Sequence, residues 1–336
     1  MPRFGLALNL GLEDRSVPAT ARLYEDVLDV VAYAEQSGID AVWIGQHHFT
    51  NTPGPVPSPL VLLTAAVART SRIDLGTGIV TLPLEDPIRL AEDAGTLDVL
   101  SGGRVQLGVG TGGANLGAFS AFGHDSADRH RLFDEKIARL NDILAGRPVS
   151  DSSPAIIQPH VPDLHRRVWQ AVTSLDRARS AGRLGQGIQV GAFFDSVVDG
   201  QLPKVEAYLD AYSSTGPDDL PRIGVFRFVY LGVSRDAVLA ELEPILGPRL
   251  PLLADRASVS GNDRLRGLGL EDYLDAVGAI YGSADDAQAA LAADPVVALA
   301  TDVVANSAVQ STFSATASRA QVDALVAVRS EGVLVE

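Results

Sequence analysis

Two adjacent histidines, His47 and His48, follow a short apolar segment and are the residues of this chain best suited to chemistry. The segment 41–44 is typical of a buried parallel strand, and α/β proteins place reactive groups just beyond the carboxyl ends of such strands. An imidazole titrates near neutral pH and can act as a general base. Because side chains alternate along an extended chain, we expect one histidine to face the site and the other to pack away from it. The alternative is that both are structural histidines of a loop.

A glycine-rich segment and a predicted helix start form a second candidate site. Gly110, Thr111 and Gly112 end the predicted strand 104–110. Backbone amides exposed in such a segment can bind phosphate oxygens, although the GxGxxG spacing of dinucleotide sites is absent. Thr173 and Ser174 precede another helical stretch, where a serine N-cap leaves neighbouring amides available to an anion. An ordinary strand end and an ordinary N-cap are the alternatives.

The composition excludes several classes of protein. The 336 residues carry a net charge of −15 and include no cysteine. Nucleic-acid binding needs clustered Lys and Arg, so we expect none. Without cysteine there is no disulfide, thiolate metal site or thiol nucleophile, and we expect no metal centre. No apolar run is long enough to span a bilayer and no secretory signal pattern is present, which predicts no membrane association and a cytoplasmic location.

Apolar runs alternate with amphipathic helical stretches along the whole chain. Eight strands, each followed by a helix, predict an α/β fold of the (β/α)₈ (TIM) barrel type, which gathers reactive residues at the carboxyl ends of its strands. We expect one domain over residues 1–336, with irregular insertions at about 147–166 and 247–270 in the loops of the carboxyl face. The predicted strands are 4–10, 41–44, 73–80, 104–110, 167–172, 188–194, 223–233 and 298–306.

Four motifs together resemble the bacterial luciferase-like family of flavin-dependent monooxygenases. They are WIGQHHF at 43–49, SPLVLLTAAVARTSRIDLGTG at 58–78, LPLEDPIRLAEDAGTLDVLSGGRVQLGVG at 82–110, and RLFDE at 131–135. The resemblance covers most of the first 145 residues. It implies a barrel that binds reduced FMN supplied by a separate NAD(P)H:flavin reductase and uses O₂ to oxidise a small organic substrate. The alternatives are a deazaflavin-dependent oxidoreductase that transfers hydride, and a flavin-binding protein without turnover.

The resemblance also assigns roles to individual residues. It implies that His47 is catalytic and that His48 is mainly structural. Gln46 stands where luciferases carry glutamate. The peptide between Gly78 and Ile79 is expected to be cis and to lie under the flavin ring. Among the phosphate contacts, Arg131 aligns with a phosphate-binding arginine and Arg129 is its near alternative, whereas Thr111 stands where luciferases have an arginine.

The substrate pocket and the assembly follow less directly from the sequence. Small residues such as Ala65 and Ala66, on a predicted helix at 59–70, predict a homodimer that packs through this helix and the next, 87–100, as the family's dimers do. Side chains near strand ends or in loops above the barrel are candidates for the substrate pocket. These candidates are Asn9, Gln46, Phe119, Phe193 and Arg227.

Overall fold

A computed structural model describes residues 2–49, 54–191, 195–213, 220–259, 263–306 and 312–330. Eight parallel strands form a closed barrel, because the last strand pairs with both the first strand and the strand at 223–231. The predicted α/β barrel is therefore confirmed. The ten strands, in chain order, are β1 Arg3–Leu8, β2 Ala41–Ile44, β3 Asp74–Thr77, β4 Val80–Thr81, β5 Val105–Gly110, β6 Val168–Ala171, β7 Gly187–Val190, β8 Ile223–Leu231, β9 Ile280–Gly282 and β10 Asp302–Asn306.

Two of these strands extend the barrel instead of closing it. β4 continues the direction of β3 and pairs with β5, so the predicted strand 73–80 is divided into two short strands. β9 pairs with the end of β8, at Val229 to Leu231. The upper part of β8 therefore leaves the barrel wall and carries a two-stranded extension at the carboxyl face.

Helices cover the outside of the barrel because each presents one apolar face to the strands. α1 begins after Ser16, whose hydroxyl accepts a hydrogen bond from the Ala19 amide, and α3 begins after Asp86, which caps two amides. The helices are α1 Val17–Gln36, α2 Pro59–Val67, α3 Pro87–Ser101, α4 Arg129–Leu144, α5 Leu175–Arg183, α6 Leu202–Ala211, α7 Arg235–Leu246, α8 Leu250–Val259, α9 Leu270–Ala276, α10 Ala284–Ala293 and α11 Ala315–Ser330.

The two predicted insertions differ from expectation. The segment 147–166 is largely irregular, but it joins the end of α4 to the start of β6 and therefore lies at the amino face of the barrel. The segment 247–270 is mostly helical, since it contains α8 and the start of α9. Together with α7 and β9 it buries a separate apolar cluster that includes Phe228, Leu253, Tyr273 and Tyr281. This excursion packs against the carboxyl end of β8.

Large aromatic side chains fill the middle of the barrel. Trp43 meets Trp169 edge-on at 5.5 Å and Phe226 at 6.1 Å between ring centroids. Below them, the Trp169 indole donates to Gln106, which in turn donates to Asp74. In the part of the chain that the structure describes, side chains thus close the interior from the middle to the amino end, which leaves the carboxyl end for a ligand. Within the described residues, no helix is both long enough and apolar enough to cross a membrane.

Candidate active site

Small residues line the carboxyl mouth of the barrel on four neighbouring strands. Gly45, Gly78, Gly110 and Ala171 lie at the ends of β2, β3, β5 and β6, each in register with side chains that point inward. A Cβ atom on Gly78 would lie 3.2 Å from Trp43 Cβ, and one on Gly110 would lie 2.9 Å from Ile79 Cδ1. These four residues form the bottom surface of the mouth, here called the floor, and their small size leaves room for a flat ring system.

The peptide bond between Gly78 and Ile79 is cis, as predicted. It lies on this floor, and both of its residues are tied to the strand next to it. Gly78 N donates to Ile44 O at 2.9 Å, and Ile79 O accepts from Gln46 N at 2.9 Å. The floor and the segment that carries the histidines are consequently one connected unit.

The backbone on both sides of His47 is held by hydrogen bonds from separate segments. His47 N donates to Val56 O at 2.9 Å, and His48 N donates to Asn115 Oδ1 at 3.4 Å. The side-chain amide of Asn115 also donates to Gln46 O at 2.8 Å and to Thr81 Oγ1 at 2.7 Å. The backbone around His47 is therefore held in place by Val56 and Asn115.

The ring of His47 is partly buried, and its low pKa favours the neutral form. Its Nδ1 atom is buried and has no hydrogen-bond partner within the described part of the chain. Burial lowers the pKa of His47 from 6.5 to about 4, although hydrogen bonding with Asn115 acts in the opposite direction. A neutral imidazole with an open ring nitrogen can accept a proton or hydrogen-bond a ligand at physiological pH.

His48 packs among aromatic rings at the rim of the mouth. Its ring lies 4.9 Å from that of Phe122 and 5.8 Å from that of Phe49. Burial also lowers the pKa of His48, and Glu85 works against that effect. The two histidines thus occupy different surroundings, in line with the alternation expected of an extended segment. The mainly structural role of His48 stays a prediction.

Gln46 does not point into the mouth, so its assignment to the substrate pocket is corrected. Its Oε1 accepts from Thr81 N at 2.7 Å, while its Nε2 donates to Glu85 Oε1 at 2.5 Å and to Pro57 O at 3.1 Å. The side chain is buried behind the strand ends. Because it neighbours His47 on an extended segment, it faces the opposite side.

Arg227 also faces away from the pocket. Its neighbour Phe226 occupies the barrel interior, so Arg227 points outward between the strands and the surrounding segments. The guanidinium is fully buried and donates to Asp294 Oδ2 at 2.8 Å and to Gln201 Oε1 at 2.7 Å. It joins β8 to the segments that follow β7 and α10, which is a structural role.

The other pocket candidates have different outcomes. Phe119 is buried in a small cluster with Leu84 and Ala118, and its place in the substrate pocket stays a prediction. Asn9 follows β1 in register with inward-facing side chains, and its role stays a prediction. Phe193 lies outside the described residues.

The glycine-rich segment after β5 lies against β4. Gly112 has a φ of +78°, and a Cβ atom there would lie 2.2 Å from Thr81 Cγ2, so the position requires glycine. Thr111 is buried. Asn115, which the sequence reasoning missed, comes three residues later and holds both Gln46 and Thr81. A buried polar residue just beyond this glycine segment was the available signal.

The side chains predicted to bind the flavin phosphate lie at the starts of two helices, α4 and α5. Ser174 Oγ caps α5 by accepting from Arg177 N at 3.3 Å, while the Thr173 side chain is exposed. Arg131, with 57% of its side chain exposed, forms ion pairs with Asp128 and Glu135 on the surface of α4. Its binding of phosphate remains a prediction, and the guanidinium would have to leave these partners.

Arg177 is a second cation near Ser174 that the sequence reasoning missed. It is buried, pairs with Asp134, and lies with its guanidinium 4.3 Å above the centre of the Phe133 ring. Burial and the charges of Arg129 and Arg177 lower the pKa of His130. Arg129, His130 and Arg177 therefore form a basic group close to the start of α5. An arginine in the first turn after a serine N-cap was the signal for Arg177.

Several buried polar atoms at inward positions have no partner among the described residues. They include Trp43 Nε1, His47 Nδ1, Gln189 Nε2 on β7 and Asn306 Oδ1 at the end of β10. Buried polar atoms are nearly always hydrogen-bonded in the functional state of a protein, so these atoms point to a polar ligand. The described residues contain no cluster of metal-ligating side chains. The mouth fits an organic ligand that is flat on one face and polar at its edges.

Comparisons with known proteins show relatives that are named as flavin-dependent or F420-dependent enzymes. The chain is 34% identical over 172 residues to an F420-dependent glucose-6-phosphate dehydrogenase of Beutenbergia cavernae, a match that covers 48% of this chain and 51% of that protein. It is 24% identical over 227 residues to the oxygenase component of a flavin-dependent trigonelline monooxygenase of Acinetobacter baylyi, covering 64% and 61%. The chain thus spans about half the length of the curated relatives it matches.

The fold is found across whole solved structures. The monooxygenase RslO1 of Streptomyces bottropensis superposes with a TM-score of 0.72 at 22% identity, covering 96% of this chain and 97% of that one. The sequence profile of the luciferase-like monooxygenases matches residues 4–326, which is nearly the whole chain. The chain belongs to the luciferase-like monooxygenase family.

Proposed function

We propose that this protein is the oxygenase of a two-component system, which uses reduced FMN and O₂ to oxidise a small organic substrate. The observation that carries the proposal is the position of His47 beside the floor of small residues. Its backbone is held on both sides, its ring is neutral, and its Nδ1 is buried without a partner among the described residues. Such an arrangement is built for a bound ligand.

The residues at the mouth fit a flavin. The ring system would lie over Gly45, Gly78, Gly110 and Ala171, with the cis peptide of Gly78 and Ile79 beneath it. The phosphate would lie near Ser174 and the backbone of Thr111 and Gly112, within reach of Arg131 or of the basic group around Arg177. When bound, reduced FMN supplies two electrons to O₂, so that one oxygen atom enters the substrate and the other leaves as water.

The side chains would place the reactants and control protons. His47 would accept a proton or donate a hydrogen bond at the reacting centre, and its neutral form is the one present at physiological pH. Asn115 and Gln46 would keep the histidine segment against the floor. The apolar rings around His48 would limit the access of water to the site.

A deazaflavin-dependent oxidoreductase is the second candidate. The match to an F420-dependent dehydrogenase supports this candidate. Thr111, which stands where luciferases have an arginine, also weakens the case for FMN. In that case the same floor would hold the deazaflavin ring, and hydride would pass between the ring and the substrate without O₂.

Two further partners belong to the proposal. A separate NAD(P)H:flavin reductase would supply the reduced flavin, as the description of the trigonelline enzyme as an oxygenase component suggests. A second copy of the chain would cover the outer face of α2 and α3, where Val61 is 72% exposed and a groove of about 380 Å³ separates the two helices. The cytoplasmic location also stays a prediction.

Binding measurements on the full chain test the function. We would titrate the parent and His47→Ala anaerobically with reduced FMN and with reduced deazaflavin, and then admit O₂. We expect the parent to bind reduced FMN more tightly than the reduced deazaflavin. The rate at which O₂ oxidises the bound FMN should differ from the rate for free FMN. His47→Ala should still bind FMN, but this difference in rate should be lost. Preference for the deazaflavin would support the second candidate, and binding of neither cofactor would contradict both.

A further inference from the structure

We propose that a lateral cleft beside His47, distinct from the floor of small residues, binds the substrate and selects apolar carboxylic acids. The cleft lies between the start of α1 and residues 47–49, 55 and 57, and has a volume of about 460 Å³. Pockets for small organic ligands typically measure about 300–1,000 Å³. This inference rests on the proposed function, because it takes His47 as the residue shared by the cleft and the flavin site.

The walls of the cleft are mainly apolar. Leu12 and Thr20 line one side, and Pro55 and Pro57 line the other. The Tyr24 hydroxyl donates to Pro55 O at 2.6 Å, which holds this second wall against α1. At the inner end are His47 and His48, and burial lowers the pKa of both imidazoles. A cleft of this kind favours an apolar molecular body.

Phe49 extends the apolar surface at the outer edge. Its side chain is 73% exposed although it packs beside the rings of His48 and Phe122. It also has a φ of +59°, which is uncommon for a residue with a bulky side chain. An exposed aromatic ring held at the edge of a cleft is well placed to cover a bound apolar ligand.

Arg15 provides a positive charge at the entrance. It lines the cleft and has no ion-pair or hydrogen-bond partner among the described residues. The neighbouring Asp14 accepts hydrogen bonds from Ser16 N at 2.8 Å and Ser16 Oγ at 3.0 Å, at the start of α1. Asp14, which also lines the cleft, thus has hydrogen-bond donors of its own, whereas Arg15 is a charged side chain of the lining without a partner among the described residues. A carboxylate on the ligand would supply the missing partner.

The two sites meet at one residue. Gly45 lies on the floor, and a Cβ atom on it would lie 3.1 Å from His47 Nε2, whereas His47 also lines the cleft. A substrate with its carboxylate at Arg15 and its apolar body along Pro55 and Pro57 would thus place its far end beside His47. The reacting carbon would be the one remote from the carboxylate.

A matched pair of ligands tests the cleft. We would measure the binding of 4-phenylbutanoate and of its neutral analogue 4-phenylbutanamide to the full chain by calorimetry, at one low ionic strength because exposed charges are screened by salt. We expect the parent to bind the carboxylate about tenfold more tightly than the amide. Arg15→Gln should reduce this preference to about twofold or less.

Two control variants show where the ligand binds. Arg22→Gln removes the same charge from an exposed position on α1 that does not line the cleft, and it should keep the tenfold preference. Thr20→Trp should fill the cleft and weaken both ligands. The proposal is overturned if the parent binds both ligands equally, if Arg22→Gln acts like Arg15→Gln, or if Thr20→Trp binds as the parent does.

The result is separable from the proposed function. Binding of reduced FMN with no preference for the carboxylate would reject the cleft alone. A carboxylate preference that depends on Arg15, in a protein that binds no flavin, would reject the proposed function while retaining the cleft.

Discussion

The side-chain amide of Gln46 donates to the carboxylate of Glu85 at a distance of 2.5 Å. This hydrogen bond joins the residue before His47 to the segment that leads into α3. Gln46 also binds Thr81 N and Pro57 O through its side chain, so it connects its own segment with residues 81–85 and with Pro57. Luciferases carry glutamate at this position, and here a glutamate would meet a second carboxylate.

We therefore expect Gln46→Glu to destabilise the protein. It would lose both amide donors and bring two carboxylates together, which should lower the free energy of unfolding by about 1–3 kcal/mol at pH 7. Urea denaturation of Gln46→Glu, Glu85→Gln and the double variant measures the effect. The double variant should recover much of the loss, because the glutamine at 85 can donate to the glutamate at 46. Additive losses in the double variant would show that the two side chains do not interact.

His47 and His48 should differ in their kinetic effects. We expect His47→Gln to reduce turnover by about 10²-fold with the affinity for FMN little changed, because a positioned general base contributes about 10²–10⁴-fold. His48→Gln removes the same kind of ring from the aromatic group at the rim, and it should reduce turnover much less than His47→Gln does. Steady-state kinetics on both variants decide the point, and similar losses would mean that neither histidine has the catalytic role alone.

The lowered pKa of His47 also makes a prediction about acid stability. In the unfolded chain His47 takes up a proton near pH 6.5, whereas in the folded protein it does so only near pH 4. As the pH falls through this interval the unfolded state gains protons that the native state does not, so stability decreases. The urea midpoint of the parent should fall between pH 7 and pH 5, and that of His47→Gln should fall less. An identical fall in both proteins would contradict the assigned pKa.

The barrel could be predicted because its strands are short apolar runs separated by amphipathic helices. Alternation along an extended segment predicted that one of His47 and His48 faces inward, and the family resemblance pointed to His47. Arg227 was misplaced because the run 223–231 is apolar on both faces, so its pattern does not show which side faces the interior. The helix α8 was missed because Pro251 resembles a loop residue, although proline is tolerated in a first helical turn.

The partners of the site residues could not be predicted from local patterns. Glu85 lies 39 residues from Gln46, and Asn115 lies 69 residues from the same backbone position. Arg177 meets Asp134 across 43 residues. Such contacts depend on how the ends of the strands are placed in space, and periodicity carries no information about that.

The phosphate site can be assigned by comparing FMN with riboflavin, which lacks the phosphate. If Arg131 binds the phosphate as predicted, Arg131→Ala should weaken FMN by about tenfold and leave riboflavin nearly unchanged, since a charge-assisted contact to phosphate is lost. Arg177→Lys keeps the charge but removes the guanidinium fork, and it is the matched variant for the alternative group. Flavin fluorescence quenching gives the affinities. Equal weakening of both flavins by Arg131→Ala would refute the assignment.

Ala66, one of the small residues behind the homodimer prediction, is not a suitable position for a test of the interface. Ala66 is only 1% exposed and packs toward the barrel, so a charge there would disturb the core and not the interface. Val61 on the outer face of α2 lines the groove beside α3, and Leu100 at the end of α3 is 57% exposed. A two-fold axis would pair this apolar surface with itself and cover it.

We expect the parent to sediment as a dimer at micromolar concentration and Val61→Glu to sediment as a monomer with its helical content unchanged. At a two-fold interface each subunit would bury one unpaired carboxylate, so the free-energy cost of removing a carboxylate from water arises twice. Val233→Glu is the matched control, because Val233 is 89% exposed and lies beyond β8, away from α2 and α3. Sedimentation equilibrium gives the mass of each protein. A monomeric parent would reject the dimer, and a dimeric Val61→Glu would move the interface to another face of the barrel.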